Sequence, residues 1–459
     1  MPLARKNGIT AKRVRLKRAL GLFEVTVYGV GVILGTGIYA LIGKGAGVAG
    51  NTLWAAFVFG AIIAALTGLS YAELGTMYPK EAAEYVYAKK ATRNKLLPFL
   101  IGWLVIFIEI IAASTVALGF GGYFYRLTGY GIASLTGLGL EILSGIVPII
   151  SAIGLVIILA FLNFYGIKES AKANIIFTSI EMFGLMMIIV LGINFFGSVN
   201  YLELPPLGFS GIFSAAILMF FAYLGFEEMV NISEETINPK KVIPKAIIIS
   251  TVITTLIYIL VSISAVSIVP WNVLAKSEAP LADVAGKALP GSSFLLSIIA
   301  LFATGNTVLI MLIVGSRMIY GMAHERSSLP AFFARIHPKR KTPWIAILTS
   351  TIITIALISL GNIKLVAEIT DFGAFLIFIS VNISLIWLRY KEPFVYRVFK
   401  VPLNIGKFPV LPLIGTLFII FMLTRFSWEI VLFCLVLIFI GFLVYLLLKR
   451  RHILKYVFI

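Results

Sequence analysis

The stretch GVGVILGTGIYALIG, Gly29 to Gly43, lies in an apolar run long enough to cross a membrane, yet it contains five glycines. Each glycine costs a helix about 1 kcal/mol relative to alanine. In lipid, the peptide groups of an opened helix find no water, so opening is tolerated only where the backbone lines a cavity. Because glycines also let membrane helices pack closely, this segment alone leaves packing and unwinding at Gly35, Thr36 and Gly37 equally open.

The composition identifies an integral membrane protein. The chain has 459 residues, of which 60% are hydrophobic and 13% are charged, and a soluble domain could not bury so much apolar surface. The apolar runs are too continuous for a membrane β-barrel. We therefore predict an all-α polytopic membrane protein, with about 20 residues in each helix that crosses the bilayer. The twelve predicted spans are 24–43, 52–77, 98–125, 146–165, 173–196, 211–231, 246–269, 293–321, 344–360, 365–388, 409–426 and 429–448.

The chain has a net charge of +18, and almost all of its Lys and Arg residues lie in the segments between the predicted spans. With the N-terminus inside, the internal segments carry 31 Lys and Arg residues and the external loops carry six. This split is the positive-inside pattern, so we expect a multi-pass protein of the cell membrane with both termini cytoplasmic. The basic loops would meet anionic lipid headgroups, and no nucleic-acid partner is expected.

Residues for enzyme chemistry are scarce. Cys434 is the one cysteine, and three histidines fall in or beside basic loops. The sequence holds no metal-ligand cluster, no nucleophile–histidine constellation and no GxxxxGK[ST] motif for ATP. We therefore expect no enzyme activity, no cofactor and no metal. No feature outside the spans suggests a dimer, so a monomer is expected.

A second apolar span is interrupted in its second half. The segment SAAILMFFAYLGFEEMV, Ser214 to Val230, places two glutamates, Glu227 and Glu228, directly after Leu224-Gly225-Phe226. Adjacent carboxylates do not suit a helix that faces lipid, but they suit the first turn of a new half-helix, where the dipole favours negative charge. The alternative is that the helix ends near Gly225, with both glutamates at the membrane surface.

The two broken segments occupy matching places in the chain. They are spans 1 and 6, the first helices of two five-helix halves, and the positive-inside count gives the halves opposite topology. Broken glycine-rich helices at matching places in inverted halves indicate a transporter with a binding site near the midplane. The predicted parts are a basic N-terminal segment (1–20), a first repeat (21–196), a second repeat (211–388), two further helices (409–448) and a C-terminal tail (449–459).

The broken helices also predict the ligand. The free N–H groups of the half-helix that starts after Gly37 favour a carboxylate. The carbonyls that end the preceding half-helix at Ile33, and those of span 6, favour an ammonium. The carbonyls in question belong to Ile33, Phe221, Ala222 and Leu224. A carboxylate and an ammonium a few ångströms apart describe an α-amino acid.

At this level of detail the chain resembles permeases of the amino acid/polyamine/organocation (APC) superfamily, above all prokaryotic relatives of the cationic amino acid transporters. The resemblance rests on family-like spacing from about residue 20 to 400. The segments that carry it are GVGVILGTGIYALIG, YAELGTMYP, FLNFYGIKESAKAN, FFAYLGFEEMVNISEETINPKKVIPKAI, GSRMIYGMAHERSSLPAFFARI and VAEITDFGAFLIF.

The resemblance implies a LeuT-like fold of five plus five inverted helices with discontinuous helices 1 and 6, and two peripheral helices. It implies that the amides of Gly35, Thr36 and Gly37 hold the substrate carboxylate, and that the span 1 and span 6 carbonyls hold the amine. It further implies that Phe226 or Phe221 covers the substrate. The loop containing Glu235 becomes an intracellular gate element that does not touch substrate.

Acids inside spans require a reason because burying their charge is costly. Glu109 lies in the middle of span 3, and its family position places it beside the pocket. It could pair with a basic substrate side chain, join a proton network, or be a protonated acid bonded to a neighbouring helix. Glu24 and Glu73 fit surface charge or gate pairing equally well. Glu368 and Asp371 are interpreted as an external-end feature of span 10.

Glu181, in span 5, is where many relatives carry a lysine whose ammonium replaces a coupling sodium ion. This departure removes the lysine-based account of proton coupling. Because a carboxylate near span 1 carbonyls must be protonated or bring a cation, our hypothesis is that Glu181 carries the coupling proton. A competing hypothesis is that Glu181 binds sodium. A third possibility is that Glu181 has no coupling role and only faces another helix.

These features predict a secondary active amino acid transporter that works by alternating access, as a proton-coupled symporter of neutral amino acids. An amino acid exchanger, or a transporter of cationic amino acids or polyamines, remains an alternative. An ion channel is a distant alternative, because no short carbonyl-lined filter motif appears.

Overall fold

The computed structural model describes residues 18–80, 82–136, 140–203, 205–277, 279–324, 329–358 and 363–457. Most of the predicted N-terminal segment and the last two residues of the predicted tail lie outside this range. Within the described range the protein is almost entirely helical, which confirms the predicted all-α class.

Sixteen α-helices follow one another along the described chain. They are α1 (Leu22–Ala49), α2 (Leu53–Met77), α3 (Ala83–Ala91), α4 (Leu96–Thr136), α5 (Leu140–Tyr165), α6 (Ile167–Gly192), α7 (Phe209–Phe220), α8 (Glu228–Asn231), α9 (Pro239–Ile268), α10 (Trp271–Leu274), α11 (Pro280–Ala288), α12 (Ser292–His324), α13 (Trp344–Leu357), α14 (Ile363–Lys391), α15 (Val410–Leu423) and α16 (Trp428–Val457). Short 3₁₀ turns cover Gly50–Thr52, Ile193–Phe195, Phe221–Tyr223, Ser233–Glu235 and Ala331–Ala334. The strands β1 (Asn404–Ile405) and β2 (Phe408–Pro409) pair antiparallel in the loop before α15.

Each of the twelve predicted spans coincides with a helical segment. Ten segments are long and apolar enough to cross a membrane, and α13 and α15 are shorter apolar helices of 14 residues. Several helices run further than predicted, most of all α4, which continues to Thr136, and α16, which continues through the predicted tail to Val457.

Burial separates central helices from peripheral ones. In the most apolar 18-residue stretch of α12, 78% of the residues are buried inside the protein. The corresponding share is only 22% in α5 and in α16. Because a helix that faces lipid keeps apolar side chains on its outer surface, α5 and α16 lie at the periphery and α12 lies at the centre. Helix α12 packs against α4, α6 and α1.

The start of α1 is bound to the loop that follows α8. The amide of Ala19 donates to the Glu235 carbonyl (2.9 Å), and the amide of Ile237 donates to the Leu20 carbonyl (2.8 Å). Glu235 also forms a fully buried ion pair with Arg317 of α12, at 3.3 Å. We call this end of the bundle the N-terminal side.

Glu73 and Glu24 have structural partners. Glu73, at the end of α2, is fully buried and pairs with Arg389 (2.5 Å) and Arg397 (3.0 Å), so it fixes α2 to the end of α14 and the loop beyond. Of the two interpretations open for Glu73, buried pairing is the observed one. Glu24 accepts a hydrogen bond from the Gly21 amide (2.9 Å) and so caps its own helix.

Candidate functional site

Helix α1 is broken at Gly35. This residue has φ of 1° and ψ of −153°, far from helical values, in the middle of a helix that otherwise runs from Leu22 to Ala49. The peptide groups on either side of Gly35 therefore lose their regular helical partners. Both readings of the glycine-rich stretch apply, because the helix opens at Gly35 and Gly37 packs closely against Ala222.

The second break follows α7. That helix ends at Phe220, a 3₁₀ turn covers Phe221–Tyr223, and Gly225 has φ of +121°, a conformation that favours glycine. Helix resumes at Glu228 for one turn only, since α8 ends at Asn231. The interruption was predicted correctly, but the expected second half-helix is shorter than a half-helix and gives way to the 3₁₀ turn Ser233–Glu235.

The two breaks touch each other, backbone to backbone. A methyl group added to Gly37 would lie 2.5 Å from the Cα of Ala222, and one added to Gly225 would lie 2.0 Å from Cγ1 of Val32. Real Cβ atoms do not approach other atoms so closely. Each broken span thus needs a glycine at the point where it crosses the other.

Two of the predicted carbonyls converge on one hydroxyl. The Tyr258 hydroxyl, from α9, contacts both the Ile33 carbonyl and the Ala222 carbonyl, the latter at 2.7 Å. A phenol carries a single proton and can donate to only one of the two. The carbonyls of the two broken spans therefore share one donor.

The predicted amides lie against α12. The Thr36 amide donates to Oγ1 of Thr307 (3.0 Å), and a methyl group on Gly35 would lie 2.3 Å from the same oxygen. The Thr36 hydroxyl is buried and has no hydrogen-bond partner among the described residues. A buried hydroxyl without a partner is costly, and this one lies directly beside the break.

The two phenylalanines predicted to cover the substrate lie on either side of the span 6 break, Phe221 before it and Phe226 after it. Phe226 is fully buried and packs with Tyr71 (ring centroids 5.9 Å apart) and Phe378 (5.3 Å). Phe221 is 8% exposed, and its carbonyl accepts a bond from the Leu224 amide (3.3 Å). Leu224 keeps partial exposure.

Glu109, in α4, keeps partial exposure. Its hydrogen-bond partner is another acid, Glu228. In the described part of the chain, no lysine, arginine or histidine pairs with Glu109. Two acids in one hydrogen bond require a shared proton.

Glu181 is fully buried in α6 and reaches α1 through Asn306 of α12. The Asn306 side-chain amide lies 3.5 Å from Oε2 of Glu181, 3.2 Å from the Thr178 hydroxyl and 3.4 Å from the Gly31 carbonyl. The remaining oxygen, Oε1, has no partner among the described residues. Glu181 is therefore linked to the backbone of α1 only indirectly, through the side chain of Asn306.

Sequence reasoning missed several residues at the site. Tyr258, Asn306 and Thr307 lie in uninterrupted helices, where a single polar residue carries no local signal. Asp371 carries a signal, as an acid within an apolar run, but the sequence does not show that it is buried. In the structure it is fully buried in α14, and neither carboxylate oxygen has a partner among the described residues.

Comparison with known proteins identifies related chains. A family model described as amino acid permease matches residues 20–449. The branched-chain amino acid permease BcaP of Bacillus subtilis is 33% identical, over 96% of this chain and 95% of its own length. The methylthioribose transporter of the same organism is 30% identical with the same coverage. Mouse cationic amino acid transporter 4 is 28% identical, over 82% of this chain and 60% of its own.

Proposed function

Because the chain belongs to the amino acid permease family, we propose that it is a secondary active transporter that takes neutral amino acids across the cell membrane together with protons. The observation that carries this proposal is the crossing of the two broken spans at Gly37 and Ala222. Unpaired peptide groups at membrane depth serve a polar ligand or are very costly. Alternating access would then follow from movement of the broken spans against α12 and its neighbours.

The amine of the substrate would displace the Tyr258 hydroxyl. Carbonyls of Ile33 and Ala222 already share that one donor, and an ammonium with three N–H groups fits the same place better. The carboxylate would sit at the start of the second half of α1, where the Gly35, Thr36 and Gly37 amides and the helix dipole favour an anion. The free Thr36 hydroxyl is a further donor for it.

A neutral side chain suits the surroundings better than a cationic one. Glu109, the acid expected to meet a basic substrate, is engaged by Glu228 instead. The relatives that match over nearly their full length include a branched-chain amino acid permease, whereas the cationic transporter matches over 60% of its length. Branched-chain and smaller apolar amino acids are thus our first candidates, with cationic amino acids and polyamines second.

Glu181 is the proposed coupling residue. It is buried with one carboxyl oxygen unpartnered among the described residues, and the other oxygen accepts a bond from the side-chain amide of Asn306 and not from a base. A carboxylate in such surroundings is stable only when protonated or accompanied by a cation. We propose the proton as that partner, with sodium as the competing version.

The N-terminal side is proposed to face the cytoplasm. The segments on this side contain 31 arginines and lysines, whereas the loops on the opposite side contain six. This asymmetry sets orientation in most membrane proteins.

Substrate identity is tested by binding and uptake with one set of compounds. Purified protein is screened for thermal stabilisation by the twenty amino acids, polyamines and methylthioribose, and hits are measured as saturable counterflow in proteoliposomes. We expect leucine, isoleucine, valine or alanine to stabilise the protein and to support saturable counterflow, and arginine to do so only weakly. A channel would show no counterflow, and saturable transport of arginine or methylthioribose alone would overturn the substrate proposal.

The pocket assignment is tested with a matched pair of substitutions. Thr36→Val removes the free hydroxyl at the break, whereas Thr26→Val removes an equally buried, unpartnered hydroxyl nine residues before the break in the same helix. We expect Thr36→Val to weaken binding about tenfold and Thr26→Val to leave it unchanged. Equal effects of the two changes would contradict the assignment.

Coupling is tested with Glu181→Gln. The variant is expected to keep counterflow but to lose accumulation driven by a proton gradient, and Glu169→Gln, at the start of α6, serves as control. Accumulation that persists in Glu181→Gln under a proton gradient would rule out the proton version. Accumulation by the wild type that follows a sodium gradient would favour the sodium version, and transport that requires amino acid on the other side would indicate an exchanger.

A further inference from the structure

A second group of buried acids lies on the N-terminal side, away from Glu181. Glu228 opens α8, and Glu84 lies in the first turn of α3, a helix between the membrane spans. Asn231 joins them: its side-chain amide lies 3.3 and 3.4 Å from the two oxygens of Glu84 and 3.4 Å from Oε2 of Glu228. Its carbonyl oxygen accepts a bond from the Ala83 amide at 2.9 Å, which ties α8 to α3. We call Glu84, Glu228 and Asn231 the acid bridge.

The acid bridge has no counter-ion. Glu84 and Glu228 are 2% and 5% exposed, and in the described ranges no basic side chain forms an ion pair with either. The nearest buried arginine, Arg317, is engaged by Glu235 and by the Asn163 side chain (2.6 Å). One asparagine amide cannot neutralise two carboxylates, so the pair needs a proton or another cation.

Two buried hydroxyls are directed at the acid bridge. Tyr71, from α2, is fully buried, its hydroxyl makes no hydrogen bond of ordinary geometry, and its strongest electrostatic neighbour is Glu84. Tyr28, from α1, is likewise buried and unpartnered, and its strongest electrostatic neighbour is Glu228. Buried polar groups are rarely left unsatisfied, so both hydroxyls are available as hydrogen-bond donors to the carboxyls of the acid bridge.

A proton held between the carboxyls of the acid bridge would remove the uncompensated negative charge of the buried pair. The acid bridge also continues inward, because Glu228 shares a hydrogen bond with Glu109, whose side chain keeps partial exposure.

We propose that the acid bridge is a proton-binding site that locks the N-terminal side of the transporter closed. With protons shared between Glu84, Glu228 and Glu109, α8 stays bound to α3. When α8 moves away around Gly225, water reaches the carboxyls, the protons leave to that side and the ionised acids repel each other. The pH on the N-terminal side would thus set how readily the transporter opens there. This inference rests on the proposed transport function but not on Glu181.

The pKa of Glu84 lies near neutral pH, where a proton-controlled lock would have to titrate. Burial raises the pKa of its carboxyl from the ordinary 4.5 to about 7, against smaller opposing effects of its own backbone amide, the Asn231 amide and the nearby Tyr71 hydroxyl. The titratable and charged groups around the acid bridge come from five elements. They are Tyr71 of α2, Tyr87 of α3, Tyr28 of α1, Glu109 of α4, Arg317 of α12, and the neighbours Glu227 and Glu235.

The first test is counterflow in oriented proteoliposomes, with the pH on the N-terminal side varied from 5.5 to 8.5 and the opposite side held constant. We expect the wild-type rate to change several-fold with a midpoint near pH 7. Glu84→Gln and Glu228→Gln should flatten this dependence or move its midpoint by a unit or more, and Tyr71→Phe should move it less. Glu203→Gln, a change in the loop before α7, should retain the wild-type midpoint.

A second test does not depend on transport. Infrared titration of the purified protein counts protonated carboxyls, and we expect a band that disappears near pH 7 in the wild type and is absent in Glu84→Gln or Glu228→Gln. If no amino acid supports counterflow, the proposed function fails while the infrared titration still decides this inference. Unchanged counterflow midpoints, or an unchanged infrared band in both variants, would overturn it.

Discussion

Gly37 and Ala222 meet where the two broken spans cross, with so little space that a methyl group on Gly37 would lie 2.5 Å from the Cα of Ala222 and 3.0 Å from its amide nitrogen. The obstacle is backbone, which cannot move aside as a flexible side chain could. This contact holds the carbonyl of Ala222 close to the carbonyl of Ile33, so that one hydroxyl reaches both.

Replacement of Gly37 by alanine is therefore expected to separate the broken spans. We predict that Gly37→Ala lowers transport at least tenfold, with loss of substrate binding, because the two carbonyls no longer converge. Gly154→Ala is the control, since a methyl group there meets nothing within 4 Å. Radiolabelled uptake measures both, and near-normal uptake by Gly37→Ala would show that the crossing is not needed.

Removal of the Tyr258 hydroxyl should lower the stability of the substrate-free protein more than that of the substrate-bound protein. Without it, two buried carbonyls lose their donor when no substrate is bound, at a cost of about 1–3 kcal/mol. The substrate amine would supply that donor. We predict that Tyr258→Phe lowers the melting temperature of the empty protein and enlarges the stabilisation produced by saturating amino acid.

Tyr223→Phe is the matched control for that change, because the Tyr223 ring packs 5.2 Å from that of Tyr258 while its hydroxyl contacts neither carbonyl. A Tyr258→Phe protein that gains no more stabilisation from substrate than Tyr223→Phe would contradict the proposed place of the amine.

The buried ion pairs of Glu73 are expected to be essential for stability. Glu73→Gln leaves Arg389 and Arg397 buried without their counter-charge, which typically costs about 3–5 kcal/mol. The exposed pair Lys80–Glu234, at 3.5 Å, provides the comparison, and Glu234→Gln should cost about 1 kcal/mol or less. Thermal unfolding in detergent measures both, and similar melting temperatures for the two variants would contradict this assignment.

The raised pKa of Glu84 predicts a pH dependence of stability. Its carboxyl holds a proton more tightly in the folded state, so folding is favoured at low pH and this contribution is lost as pH rises from about 4.5 to about 7. Glu84→Gln should show a smaller fall in melting temperature across that range than the wild type. A fall of the same size in both proteins would show that Glu84 titrates normally.

The sequence was sufficient for the spans and for both breaks, because apolar length, glycine and misplaced acids are local signals. It was not sufficient for the partners of the breaks. Tyr258, Asn306 and Thr307 act across distances of more than 200 residues from Ile33, Gly31 and Thr36, and nothing periodic marks such contacts.

Two acids show the same limit. Asp371 looked like the outer end of a span, and only packing shows that it is buried. Glu84 lies in a short helix of low hydrophobicity between spans, where sequence gives no reason to expect burial, and Asn231 brings it to Glu228 only in the folded protein.

The claim that peptide groups of two broken spans hold an amino acid is tested most directly by a density map with the tightest-binding amino acid from the screen. We predict its ammonium at the carbonyls of Ile33 and Ala222, with the Tyr258 hydroxyl displaced, and its carboxylate at the amides of Gly35, Thr36 and Gly37. An amino acid bound elsewhere, or bound here in the reverse orientation, would contradict the account.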